Sequence, residues 1–155
     1  MKPLIMVGLV AIMALSACKK ETTTPVPKPD SLIFGRYNPM CMTAMPCGKF
    51  FLLQNNMLFA DQSYYMTPNP FALAKEPDSL YVIAKQLIDN FPAYLLNHPN
   101  DSFIGCPGCT DGEVIRLWAT ANDVRTKWDI NTDTSQIPAE LRTYIWQAGH
   151  VLDQL

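Results

Sequence analysis

The chain has 155 residues, of which 48% are hydrophobic and 17% charged. That balance excludes a disordered polyelectrolyte and leaves enough apolar side chains for a core. Lys and Arg number 12 against 14 Asp and Glu, a formal net charge of −2, which gives no electrostatic footprint for nucleic acid or for a strongly charged partner.

The first segment, residues 1–17, opens on Lys2, continues through an apolar run from Pro3 to Leu15 and ends on the small residues Ser16 and Ala17. A secretory signal needs a positive start, a core of about 7–15 apolar residues and small residues at the cleavage site. A membrane-spanning helix needs about 20 apolar residues, whereas this run stops at Cys18, Lys19, Lys20 and Glu21. Leu15-Ser16-Ala17-Cys18 resembles a bacterial lipobox. The resemblance implies cleavage before Cys18, a diacylglycerol on its thiol and an acyl chain such as palmitate on the new amino group. The membrane partner is then the lipid at Cys18, and the expected location is extracytoplasmic, on the cell membrane or outer membrane. Several chains together hold firmly, because each buried methylene contributes about 0.8 kcal/mol. Removing residues 1–17 takes only Lys2 from the charged set, leaving 11 basic and 14 acidic side chains.

Residues 18–30 read as a lipid-anchored linker, with three prolines among Thr, Lys and Glu residues and little to bury. Residues 31–155 have the size of a single globular domain. A first strand is expected over Leu32 to Tyr37. Lys49 to Gln54 and Met57 to Asp61 form a hairpin around Asn55-Asn56, a dipeptide that tolerates positive φ. After Pro77, Asp78 precedes Leu80, Ile83, Ala84, Leu87, Ile88 and Phe91 at the spacing of one helical face. Pro92 should end or kink that helix. Glu113 to Thr120 pairs with a strand in which Val124, Thr126, Trp128 and Ile130 alternate with Arg125, Lys127 and Asp129, a pattern with one buried face. Pro138 begins a last helix with Leu141, Tyr144, Ile145, Ala148, Val151, Leu152 and Leu155 on one side.

This order, strands then helix then strands then helix, predicts an α+β fold: an antiparallel sheet with helices packed on one face. Trp118, Trp128 and Trp146 read as core or core-edge residues, since aromatic rings dominate buried area.

Phe34-Gly35-Arg36-Tyr37, the Phe-Phe-Leu-Leu hairpin ending in Leu58-Phe59-Ala60-Asp61, and the cysteines Cys41 and Cys47 form one set of motifs. Gly105-Cys106-Pro107-Gly108-Cys109-Thr110-Asp111-Gly112, Lys127-Trp128-Asp129-Ile130 and Ile137-Pro138 form another. Together they resemble small uncharacterised lipoproteins of Bacteroidota across most of the mature chain. The resemblance implies an address and an architecture, and brings no catalytic residues with it.

Of five cysteines, four remain once Cys18 is lipidated: Cys41, Cys47, Cys106 and Cys109. An even number in an exported domain reads as disulfides, with three connectivities open. Cys41 with Cys47 and Cys106 with Cys109 are the local pairs and are favoured here. Cys106-Pro107-Gly108-Cys109 is also a CxxC, the spacing of thiol–disulfide redox enzymes. It lacks the strand-to-helix context in which a helix dipole stabilises the thiolate. Met40, Met42 and Met45 beside Cys41 and Cys47 offer soft ligands of the kind that select copper(I), although a disulfide would remove the thiolates. Four-thiolate zinc fits poorly, because the first pair is spaced too widely.

Asp129, Asn131, Asp133, Ser135 and Glu140 occupy positions of a calcium-loop template, but Thr134 stands where glycine is needed and Pro138 interrupts it. The stretch reads as an Asx-rich turn capping the last helix. His98 and His150 stand outside any recognisable nucleophile motif. No metal site, cofactor or catalytic residue is assigned. The expectation is a lipid-anchored envelope protein acting as a non-catalytic binding or structural module, its partner an envelope protein or a cell-surface polymer. An extracytoplasmic copper binder and a CxxC redox protein are the alternatives.

Overall fold

The computed structural model describes residues 28–40, 48–61, 73–109 and 112–155. Strands β1 (Ser31–Tyr37), β2 (Gly48–Gln54), β3 (Met57–Asp61) and β4 (Leu73–Lys75) come first, followed by helices α1 (Asp78–Ala84), α2 (Gln86–Asp89) and α3 (Ala93–Asn97). Strands β5 (Phe103–Ile104), β6 (Val114–Ala121) and β7 (Val124–Asn131) lead through a 3-10 turn, Thr134–Gln136, to α4 (Ala139–Leu152). The class is α+β. The strands form a seven-stranded sheet in the order β4-β3-β2-β1-β6-β7-β5.

Two tight turns set its register. Asn55 and Asn56 have φ of 53° and 58°, and Asn122 and Asp123 have φ of 50° and 62°. These are the positive values that two-residue hairpin turns require and that Asn and Asp tolerate best. With the turns fixed, Gln54 faces Met57 and Ala121 faces Val124. Every pair further along the hairpins is thereby placed.

Leu32, Phe34, Phe51, Leu53, Leu58, Ile115, Leu117, Trp128 and Ile130 project from one face of the sheet. They join Ala84, Leu87, Phe91, Leu95, Leu141, Tyr144, Ile145, Ala148 and Val151 of the helical segments in one buried cluster. The predicted stripes of both helical regions therefore meet the sheet. Asp78 to Phe91 is two helical segments joined at Lys85, whose backbone stays right-handed at φ −51° and ψ −34°. The stripe keeps its phase through the join, so Ala84, Leu87 and Phe91 are all buried. Pro92 ends the run as expected, and the chain then re-enters helix as α3, which periodicity did not predict.

The sheet is mixed, which corrects the all-antiparallel expectation. Strand β5 lies parallel to β7, with Phe103 opposite Asp129 and Ile104 opposite Ile130. Asp129 N–H donates to the Ser102 carbonyl at 2.8 Å, and Trp128 Nε1–H donates to the His98 carbonyl at 3.1 Å. These bonds lay the segment after α3 along the sheet edge. Strand β7 also departs from a single buried face. Val124 is exposed, whereas Asp129 and Asn131 on the second face are buried. Among the described residues no helix is long and apolar enough to cross a membrane.

Candidate functional site

Of the cysteines singled out by sequence, Cys18, Cys41 and Cys47 lie outside the described residues. Cys106 and Cys109 form a disulfide, with Cα atoms 5.4 Å apart. Its backbone follows from the intervening pair. Pro107 presets the first corner, Gly108 supplies φ of 83° at the second, and Cys109 N–H donates to the Cys106 carbonyl at 3.1 Å. That is the residue pattern of a type II turn. The CxxC thus occupies a turn between β5 and β6, away from the helix N-terminus that lowers a thiol pKa. With the bridge closed, two of the thiolates that a four-cysteine zinc site would use are absent; of the copper candidates, Cys41, Cys47, Met42 and Met45 lie outside the described residues and Met40 is exposed.

The calcium-loop residues do not converge. Asn131 Nδ2–H donates to the Cys106 carbonyl and to Gln136 Oε1, both at 3.1 Å, and its Oδ1 accepts from Asp133 N–H at 2.8 Å. Asp133 Oδ1 accepts from Ser135 N–H at 3.0 Å and from Ser135 Oγ–H at 2.7 Å. Those bonds from Ser135 hold the Asp133 carboxyl below the usual carboxylate range. The stretch is an Asx turn, but the element that it caps is the 3-10 turn. Helix α4 starts after Pro138 with no side-chain cap. Among the described residues no group of three His, Cys, Asp or Glu side chains is placed to hold a metal ion.

The second sheet face carries a polar centre that sequence reading missed. Arg116 on β6 faces Asp129 on β7 and grips it through both oxygens, Nε–H to Oδ1 at 2.6 Å and Nη2–H to Oδ2 at 3.0 Å. The pair is desolvated, with side chains 10% and 1% exposed. Arg116 Nη2 also donates to Tyr37 Oη at 3.1 Å, and its guanidinium lies 4.4 Å from the Tyr37 ring centroid. Lys127 Nζ approaches Asp129 Oδ2 at 3.2 Å. Burial, and then the Asp129 charge, push the Tyr37 phenol up. For Arg116 burial is the largest influence and pulls its pKa down. The hydrogen bond and charge of Asp129, with Tyr37, outweigh it and hold the value up. A clue was present in the sequence: Arg116 and Asp129 are equidistant from the Asn122-Asp123 turn, so a two-residue hairpin must set them opposite each other.

Two clefts flank α4. One, about 620 Å³, lies between α3 and α4 and includes Tyr94, Asn97, His98, Glu140, Thr143 and Gln147. His98 stacks on Tyr94 at 4.1 Å, and its Nδ1 lies 2.8 Å from the Tyr94 carbonyl. The other, about 290 Å³, runs beside the C-terminal half of α4 and includes Arg36, Glu113, Thr132, Trp146, His150 and Asp153. Arg36 reaches it from β1. It donates from Nη1 to Asp153 Oδ1 at 2.9 Å and from Nη2 to the Gly149 carbonyl at 3.0 Å. Its Nε lies 3.2 Å from Glu113 Oε2, close enough for an ion pair but not aligned as a hydrogen bond. A cation on a carbonyl of the last helical turn also complements the helix dipole.

Trp146 projects into this groove region with 68% of its surface exposed, which corrects the core or core-edge reading for that residue; Trp118 and Trp128 are buried as expected. His150 stands one turn further along α4 and stacks against it, ring centroids 5.6 Å apart and planes 11° from parallel. The helical stripe explains the exposure. Leu141, Tyr144, Ile145, Ala148 and Val151 fill the buried side, so Trp146 must lie on the other. No protein-family model matches the chain, and no curated protein is significantly similar to it.

Proposed function

We propose that this chain is a lipid-anchored protein of the bacterial cell envelope, tethered through Cys18 and a proline-rich linker, whose folded part is a non-catalytic binding or structural module. Leu15-Ser16-Ala17-Cys18 after a short apolar run supports the anchor. The Cys106–Cys109 bridge supports an oxidising, extracytoplasmic setting. The observation that carries the binding half is Trp146, a large aromatic side chain presented to solvent by a helix whose opposite side is firmly packed. Aromatic side chains so placed are the usual anchors of binding surfaces. The partner class is an envelope protein or a cell-surface polymer, and the antiparallel part of the sheet serves as a rigid support.

Fractionation of cells expressing the full chain tests the anchor. The wild type should sediment with membranes and be released by detergent, whereas Cys18→Ser should be released to the soluble fraction or accumulate as unprocessed precursor. A wild type found soluble without detergent defeats the proposal.

A further inference from the structure

The geometry points to a carbohydrate-binding site in the groove beside the C-terminal half of α4, with a neutral, hydroxyl-rich glycan chain as its ligand. This rests on the binding-module reading and gives it a place and a ligand class. Trp146 and His150 on α4 and Asp153 at its C-terminal cap follow one another at helical spacings and line the same groove. The near-parallel imidazole, its centroid 5.6 Å from that of the indole, steadies the Trp146 ring, which stays 68% exposed. An open aromatic face is an apolar platform for the C–H side of a sugar ring.

The polar lining selects among ligands. Glu113 and Asp153 are more than half exposed, and although Arg36 pairs with both, each keeps spare lone pairs towards the groove. Such oxygens accept hydrogen bonds from vicinal hydroxyls, and bonds to charged acceptors are the strong kind. Thr132 and Thr134 also line the groove, and the Thr132 hydroxyl, which donates to the Glu113 carbonyl at 2.9 Å, keeps its oxygen lone pairs. An anionic ligand meets two carboxylates, while the charge of Arg36 is already engaged by Asp153, Gly149 and Glu113. A purely apolar segment would cover the remaining lone pairs of those carboxylates without satisfying them, which is costly. A polyol with one apolar face satisfies both halves of the groove. At about 290 Å³ the groove stands at the small end of ligand sites, suited to one ring of a longer chain. The larger cleft beyond α3 is a weaker candidate, because its Tyr94 ring is half-buried and stacked beneath His98.

The mature lipidated chain in detergent micelles can be titrated with soluble glucan, mannan and galactan, with polygalacturonate as the acidic comparison. Indole fluorescence reports binding, because Trp146 is exposed while Trp118 and Trp128 are buried. At least one neutral polymer should bind saturably and more tightly than the acidic one. Trp146→Ala, and Glu113→Gln combined with Asp153→Asn, should each weaken it by about tenfold or more. Binding of these variants is followed by calorimetry, with circular dichroism to confirm the fold. Val82→Ser, an exposed change on α1, should leave binding unchanged. Binding that survives Trp146→Ala, or absence of binding to every neutral polymer, overturns the assignment. Binding to immobilised envelope protein without any to glycan leaves the binding-module reading standing and removes the glycan; binding to neither removes both.

Discussion

Phe50 covers Gly35. The two are cross-strand partners on β2 and β1, and the Phe50 ring fills the space that a Gly35 side chain would occupy, with the Lys49 carbonyl beside it. The same ring packs near Tyr37 and Val114 in a small cluster on the face opposite the helices. Gly35 is thus required by close approach of a ring and a backbone oxygen, in an extended strand where glycine is otherwise disfavoured.

Gly35→Ala should therefore destabilise the protein by about 1–3 kcal/mol, the range for forcing extra volume into a filled site. Urea unfolding followed by circular dichroism measures it. A loss near zero would mean that β1 and β2 part easily, contrary to the observed packing.

Arg116 and Asp129 make a second, separable prediction. Removing one partner by Arg116→Met or Asp129→Leu leaves a buried charge uncompensated and should cost about 3–5 kcal/mol. The double substitution should recover much of that loss, because the ion pair itself contributes little beyond offsetting its own desolvation. A double-mutant cycle in urea decides the point, and additive losses would show that the pair is not a unit.

The Cys106–Cys109 bridge closes a very short loop, sequence separation 3. Chain-entropy arguments give about 2 kcal/mol for so small a ring. Cys106→Ser with Cys109→Ser should lower stability by no more than about that amount and leave the far-UV spectrum unchanged. Non-reducing peptide mapping should recover Cys106 linked to Cys109. A peptide joining either of them to Cys41 or Cys47 would contradict the fold.

Acid titration gives a fourth test. The Asp133 carboxyl is held below its ordinary value by Ser135, so the stability that it contributes is complete above the unfolded value of about 3.9 and is lost as pH falls through the lowered folded value. Asp89 is lowered as well, first by its hydrogen bond from Lys85 and then by that from Lys28. The informative quantity is therefore the difference between wild type and Asp133→Ala. Urea midpoints should differ most near neutrality and converge by about pH 2. A difference that grows on acidification would reverse the assigned sign.

Much of this architecture was legible in the residues because local signals carried it. Asn55-Asn56 announced the first hairpin, alternation announced β7, and three-and-four spacing announced α4, where Pro138 takes the N-cap position just outside the helix. Strands β4 and β5, of three and two residues, are too short to show a period, and the parallel pairing of β5 with β7 is a long-range event. Asp129 read as a solvent residue because its burial depends on Arg116, which lies thirteen positions away. Trp146 departs from its expected burial for the opposite reason. Size and apolarity argue for burial, but the helical phase fixed by Leu141, Tyr144, Ile145, Ala148 and Val151 turns it outward. Neither side of the groove was visible as a site, since Arg36, Glu113 and Asp153 meet only through the packing of α4 on the sheet.

The most direct test of the lipid-anchored envelope reading is the intact mass and N-terminal peptide of the protein purified from detergent extracts of whole cells that make it. The expected species begins at Cys18 and carries a diacylglyceryl group on the thiol, with a further acyl chain on the amino group. A mature chain that begins elsewhere, or a Cys18 that carries no lipid, would contradict it.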